Sequence, residues 1–112
     1  MIRVTCYIRP HRLEGVKSAL ATLGISGMSV SDVRGTGNSP EVSHLIAASD
    51  HLVALPIRSK ITVVAPDDLE EPMIEAIIEN ARTGEHGDGK IFIERVLDAV
   101  RVRTEERGEL AI

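Results

Sequence analysis

Gly84-Glu85-His86-Gly87-Asp88-Gly89-Lys90 is the stretch whose residue types and spacing point most directly to a ligand. It satisfies G-x-x-x-x-G-K, the opening of a phosphate-binding loop, but Ile91 stands where that loop carries the Ser or Thr that reaches magnesium. The surroundings are also reversed. A helical pattern precedes the glycines and the strand-like Ile91-Phe92-Ile93 follows them, so this is a different architecture and not a damaged ATPase loop. Glycines at 84, 87 and 89 allow φ > 0 and a row of exposed N–H groups, which makes an anion nest, and Lys90 adds a point charge. Further on, Val100-Arg101-Val102-Arg103-Thr104 alternates strictly. On a strand, Arg101 and Arg103 would leave one face and offer two planar forks to the same phosphates.

Other residues invite chemistry less strongly. His44, Asp50 and His51, with Glu41, suggest a metal site, but two turns of helix would separate the histidines, which is not the adjacent i,i+4 pairing. His86 reads as an exposed turn histidine. The acidic pairs Asp67-Asp68 and Glu70-Glu71 sit at a helix start, where the macrodipole accounts for them. Cys6 is the only cysteine and lies in the apolar run VTCYI, which suits a buried thiol and excludes an internal disulfide. Net charge is −4 with no basic cluster, and Tyr7 and Phe92 are the only aromatics, so phosphate tracking and base stacking are both unsupported and nucleic acid is not an expected partner. No stretch reaches the length of a membrane span or has the flanks of a signal peptide. A cytoplasmic protein with no direct membrane insertion is expected.

A repeat positions these groups. Residues 2 to 8 are strand-like and end at Pro10. Leu13, Val16, Leu20 and Leu23 then follow a helical spacing up to Gly24, and MSVSDVRG suits a second strand. Half a chain later the order recurs: Ile61 to Val64, Pro66, a helix through Leu69, Met73, Ile77 and Ile78, then Gly84 and the strand KIFIERV. Pro10-x-x-Leu13-Glu14 matches Pro66-x-x-Leu69-Glu70. Two βαβ units in tandem predict one α+β domain over residues 1–112, a ferredoxin-like double βαβ sandwich with an antiparallel sheet and both helices on one face. The other sheet face is expected to be too aliphatic for water, which argues for an oligomer. The connection from Thr36 to Pro56 is far longer than a hairpin, and such loops are functional or disordered.

The run Thr83-Gly84-x-x-Gly87-Asp88-Gly89-Lys90-Ile91-Phe92, together with Arg101-x-Arg103-Thr104, GISGMSVSDVRGTG and VVAPDDL, closely resembles the PII signal-transduction family along the whole chain. The resemblance implies a homotrimer that binds ATP or ADP between subunits and reaches a target protein through a long T-loop, here about 37–55. Glycine-rich residues 82–90 would be the B-loop and 97–112 the C-terminal segment. Gly87, Asp88, Gly89 and Lys90 would cradle the phosphates, and Arg101 and Arg103 would reach them from the neighbouring subunit. Ser29, Gly35, Gly37, Asn38 and Val64 would fall around the nucleotide. Such a protein signals and is not an enzyme beyond slow residual hydrolysis; Mg2+ can accompany the nucleotide.

Departures from the family pattern narrow the reading. Ser39 replaces a glutamine, and Arg58 replaces a lysine, at the positions associated with 2-oxoglutarate. Both remain effector-site candidates, but the changes argue against that ligand. His51 stands where the family's modified tyrosine would be, so nucleotidylation is excluded there, and Ala47 replaces the basic plug residue. Val42, His44, Leu45, Ile46, His51 and Leu52 would instead form an apolar docking arm for a client such as a membrane transporter, an efflux system or a soluble enzyme. The competing expectation is a metal-binding ferredoxin-like trimer that uses the arm histidines and no nucleotide.

Overall fold

Ile2, Val4, Cys6 and Ile8 alternate along β1 (Ile2–Ile8) and are all at least 98% buried, so one face of this strand is core. Ser59, Ile61, Val63 and Ala65 alternate likewise on β3 (Ile57–Ala65), none of them more than 3% exposed. In the computed structural model, which describes residues 1–25, 27–37 and 55–112, these two strands pair antiparallel at the centre of the sheet. β2 (Ser29–Arg34) pairs antiparallel with β3, and β4 (Lys90–Arg95) pairs antiparallel with β1. The order is therefore β2-β3-β1-β4, the ferredoxin-like arrangement that the repeat predicts.

Each repeat turns from strand to helix through proline. Pro10 opens a 3-10 turn (Pro10–Arg12) that runs into α1 (Leu13–Thr22); Pro66 precedes the turn Asp67–Leu69 that runs into α2 (Glu70–Ala81). Fixed φ and a missing N–H cost nothing at these starts, where helix amides lack partners. Gly24 (φ 86°) ends α1, its N–H donating to the Ala21 carbonyl while Ile25 N–H donates back to Leu20. α2 stops differently. Arg82 turns extended after one last bond to Ile78, which leaves Gly84 to the loop and not to the helix cap. Val16 and Leu20 of α1 meet Met73 and Ile77 of α2 over the buried sheet face. Full burial of each such side chain stabilises by about 1.5–3 kcal/mol.

Two expectations are corrected. The uncovered sheet face is not aliphatic: Arg3, Thr5, Tyr7, Lys60, Thr62, Phe92 and Glu94 surround a concavity on it. Strand alternation has sent the aliphatics inward and both aromatics outward, and Tyr7 and Phe92 pack edge to face at 6.0 Å. The argument for oligomers from a greasy face therefore does not hold. Nor do residues 100–104 form a strand. Residues 102–104 are a turn, Glu105 has φ 62°, and Arg101 and Glu105–Glu106 exchange backbone hydrogen bonds of 2.8 and 2.9 Å. Asp98 fastens this turn by accepting from the Arg107 guanidinium, Ala99 N–H and Gly108 N–H, contacts that, Arg107 foremost, also hold its carboxyl below the usual range. A 3-10 turn at Gly108–Ala111 follows this segment.

Burial pushes the Cys6 thiol up to about 11, only partly offset by a backbone hydrogen bond from Ile61. The native protein should resist iodoacetamide at pH 8 and react once denatured, because the thiolate is the nucleophile. A pKa raised by folding adds stability that is intact below the ordinary thiol value of 9.0 and lost as pH climbs towards about 11. Rapid labelling of the folded protein at pH 8 would refute this placement.

Candidate functional site

Tyr7↔Lys90 is the last register pair between β1 and β4, so the chain arriving from α2 must enter the sheet beside the end of β1. Gly89 makes that entry. Its φ is 113°, and a Cβ there would run into the Tyr7 carbonyl, so only glycine lets the two backbones approach. Gly84 (φ 92°) and Gly87 (φ 99°) also take the left-handed side of φ space, as the loop spacing predicts.

Asp88 organises the interior of residues 82–90. Its Oδ2 accepts from the N–H groups of Thr83 (2.8 Å) and Gly84 (2.9 Å), and its Oδ1 accepts from the Thr83 hydroxyl and from Arg9 Nε (3.2 Å). These donors, the Thr83 hydroxyl foremost, hold the carboxyl far below the usual aspartate range. Both oxygens face loop donors, and a carboxylate repels phosphate. Asp88, grouped with the cradle by resemblance, thus shapes the loop from inside.

Arg9 joins the loop although nothing in its sequence neighbourhood marks it as a site residue. It sits one residue past β1, and besides Asp88 it donates through Nη2 to the His86 carbonyl at 2.7 Å. Its partners lie 79 and 77 residues away in the chain, and no local pattern signals such a contact. Arg58, from the start of β3, joins it. A Cβ at Gly87 would be 3.2 Å from a guanidinium nitrogen of each arginine. The effector candidate Arg58 is therefore at the glycine loop, bonded through Nη1 to its own Ile57 carbonyl. Lys90, Arg9 and Arg58 surround Gly87–Gly89 with positive charge, so the site fits an anion better than a metal ion. Among the described residues no group of three or more His, Cys, Asp or Glu gathers.

Other expected site residues are spread more widely. Gly35 follows β2 at the same sheet end as Arg58, its N–H donating to the Pro56 carbonyl, with Gly37 two residues on. Ser29 pairs with Thr62, and Val64 pairs with Arg3, both on the uncovered face. Counted along β3 from Lys60, which pairs with Tyr7, they lie about 7 and 13 Å away towards the far end. Arg101 is half-buried and ion-paired with Glu106 at 3.2 Å, and Arg103 lies exposed in the turn, so the two do not project from one strand face. Asn38, Ser39, Glu41, Val42, His44, Leu45, Ile46, Ala47, Asp50, His51 and Leu52, with most of the proposed T-loop, lie outside the described residues.

The sequence model of the family described as "Nitrogen regulatory protein P-II" matches residues 1–106. A "Nitrogen regulatory protein P-II" of Haemophilus influenzae is 42% identical over 112 residues, all of both chains. A "Nitrogen regulatory protein P-II 1" of Methanothermobacter thermautotrophicus is 45% identical over all of this chain and 97% of its own. One of the same name from Escherichia coli K12 is 38% identical over the whole of both chains.

Proposed function

The chain belongs to the nitrogen regulatory protein P-II family, and from that premise we propose that it is a non-enzymatic regulator that binds ATP or ADP and passes the bound state to a target protein. The observation that carries this reading is the loop at residues 82–90, bent by three positive-φ glycines and docked at a sheet end where Lys90 and Arg58 supply cations. Backbone N–H groups and fixed positive charge are what a polyphosphate requires. Hydrolysis is not part of the proposal, since phosphoryl transfer also needs a positioned water or nucleophile, and no residue of the loop is assigned that task.

The nucleotide would lie between subunits of a homotrimer. Support comes from the spread of the expected site residues: Ser29, Val64, Arg101 and Arg103 do not converge on the loop within one chain, and neighbouring copies would have to bring them together. Segment 37–55 would act as the T-loop, and its apolar residues favour a client such as a transporter, an efflux system or a soluble enzyme. No helix among the described residues is long and apolar enough to cross a membrane, and cytoplasmic action fits this reading. 2-Oxoglutarate is not assigned as an effector: Ser39 is short, and Arg58 is drawn to the glycine loop. Mg2+ would be held chiefly by the nucleotide's own phosphates.

The test is calorimetric titration with ATP and ADP of the native protein and of Lys90→Ala. Lys90 is exposed at the head of β4, so its loss should weaken nucleotide binding about ten-fold or more while the melting temperature stays put. Unchanged affinity in the variant would refute the assignment of the loop.

A further inference from the structure

We propose that Arg9 is a positioning residue for the phosphate cradle, a clamp that acts through Asp88 and the His86 carbonyl and does not itself touch the nucleotide. This rests on the nucleotide reading above and deepens it. The glycine loop has little to hold it in one shape: glycine is the residue with the most backbone freedom, and residues 82–87 are exposed. A cradle that must be ready before the phosphates arrive needs an external fastening, since ordering on binding subtracts from affinity.

The geometry supplies one. Asp88 gathers the start of the loop through the Thr83 hydroxyl and the N–H groups of Thr83 and Gly84. Arg9 then ties that assembly to the end of β1 with Nε on Asp88, and ties the tip with Nη2 on the His86 carbonyl. One planar guanidinium therefore joins a carboxylate and a carbonyl on two sides of Gly87, a geometry the single ammonium of lysine does not reproduce. The ion pair is about three-quarters buried on both partners, so solvent screens it less than a surface pair. With its Nε and Nη2 engaged in this way, Arg9 differs from Arg58, whose guanidinium bonds only locally to the Ile57 carbonyl among the described residues. Among the described residues, Arg58 and Lys90 are then the cations beside the loop that would meet an incoming anion.

The experiment measures ATP affinity for the full chain and for Arg9→Ala, Arg9→Lys, Asp88→Asn and the Arg9→Ala/Asp88→Asn double variant. Amide hydrogen exchange at Thr83 and Gly84 is followed in parallel without nucleotide. A clamp predicts about a ten-fold loss of affinity in Arg9→Ala, partial rescue in Arg9→Lys, and a double variant whose loss is smaller than the sum of the two single losses, the remainder being the His86 tie that Asp88→Asn leaves in place. Losses that add in the double variant would mean that Arg9 contacts phosphate directly, which overturns the proposal. Exchange at Thr83 and Gly84 should speed up in Arg9→Ala, and unchanged exchange overturns the proposal as well. If the wild-type chain binds no ATP, the nucleotide reading falls while the exchange measurement still decides whether Arg9 fastens the loop.

Discussion

Gly89→Ala is expected to cost about 3 kcal/mol or more of stability and to remove nucleotide binding. Two effects combine at this residue. Alanine at φ 113° is strained wherever it sits, and here its methyl group would also occupy the space of the Tyr7 carbonyl. Relief requires β4 to pull away from β1 at the Tyr7↔Lys90 pair, which would loosen the packing of Phe92 on Tyr7 and move Lys90 off the sheet end. Gly84→Ala provides the contrast. Its φ of 92° is similar, but nothing lies within 4 Å of the added Cβ, so only the backbone strain of about 1–2 kcal/mol applies. Urea denaturation of both variants separates the two terms. Equal costs would mean that Gly89 is needed for its dihedral alone and that the loop does not press on β1.

The difference between local and distant information explains what the sequence disclosed. The strand–proline–helix repeat was legible because each part is decided by neighbours: β-branched runs, Pro10 and Pro66 at helix starts, and apolar spacing through Leu20 and Ile77. The sheet order followed from the repeat. The length of β3 did not, because Arg58, Ser59 and Lys60 look like loop residues, although Ser59 is 1% exposed and all three sit in the ladder with β2. Composition could not say which strand face each aromatic takes, and Tyr7 and Phe92 both turned outward. The V-R-V-R alternation around Arg101 failed for a related reason. Alternation marks a strand only when a partner completes its ladder, and here Asp98 and Glu106 capture the segment as a turn. The positive-φ glycines of the loop were readable from type and spacing. Arg9 was not, since its role depends on a fold that brings residue 9 to residue 88.

The seam between the helices carries the second large effect. Leu20 is 1% exposed and shares the buried core with Met73 and Ile77 of the facing helix, which are 0% and 2% exposed. Leu20→Ala should lower stability by about 3 kcal/mol, with outcomes between 2 and 5 kcal/mol set by how far the hole can close. Closure is hindered here. The buried core that holds Leu20 is mostly isoleucine, valine and alanine, whose χ1 angles are stiff or absent, and it contains no aromatic ring that could tilt into the gap. Met73 is the fully buried methionine of this core, with rotatable bonds that let it fill irregular space. Leu20→Met, which conserves volume, should therefore cost under about 1.5 kcal/mol. Both variants are measured by urea denaturation at one fixed protein concentration, since any subunit association adds to the apparent stability. For a domain of this size total stability is about 5–15 kcal/mol, so the alanine variant would lose a large share of it. A cost below about 1 kcal/mol for Leu20→Ala would mean that α1 and α2 do not close over a common core. The end of β1, which carries the Arg9 clamp, would then be less firmly anchored than the loop requires.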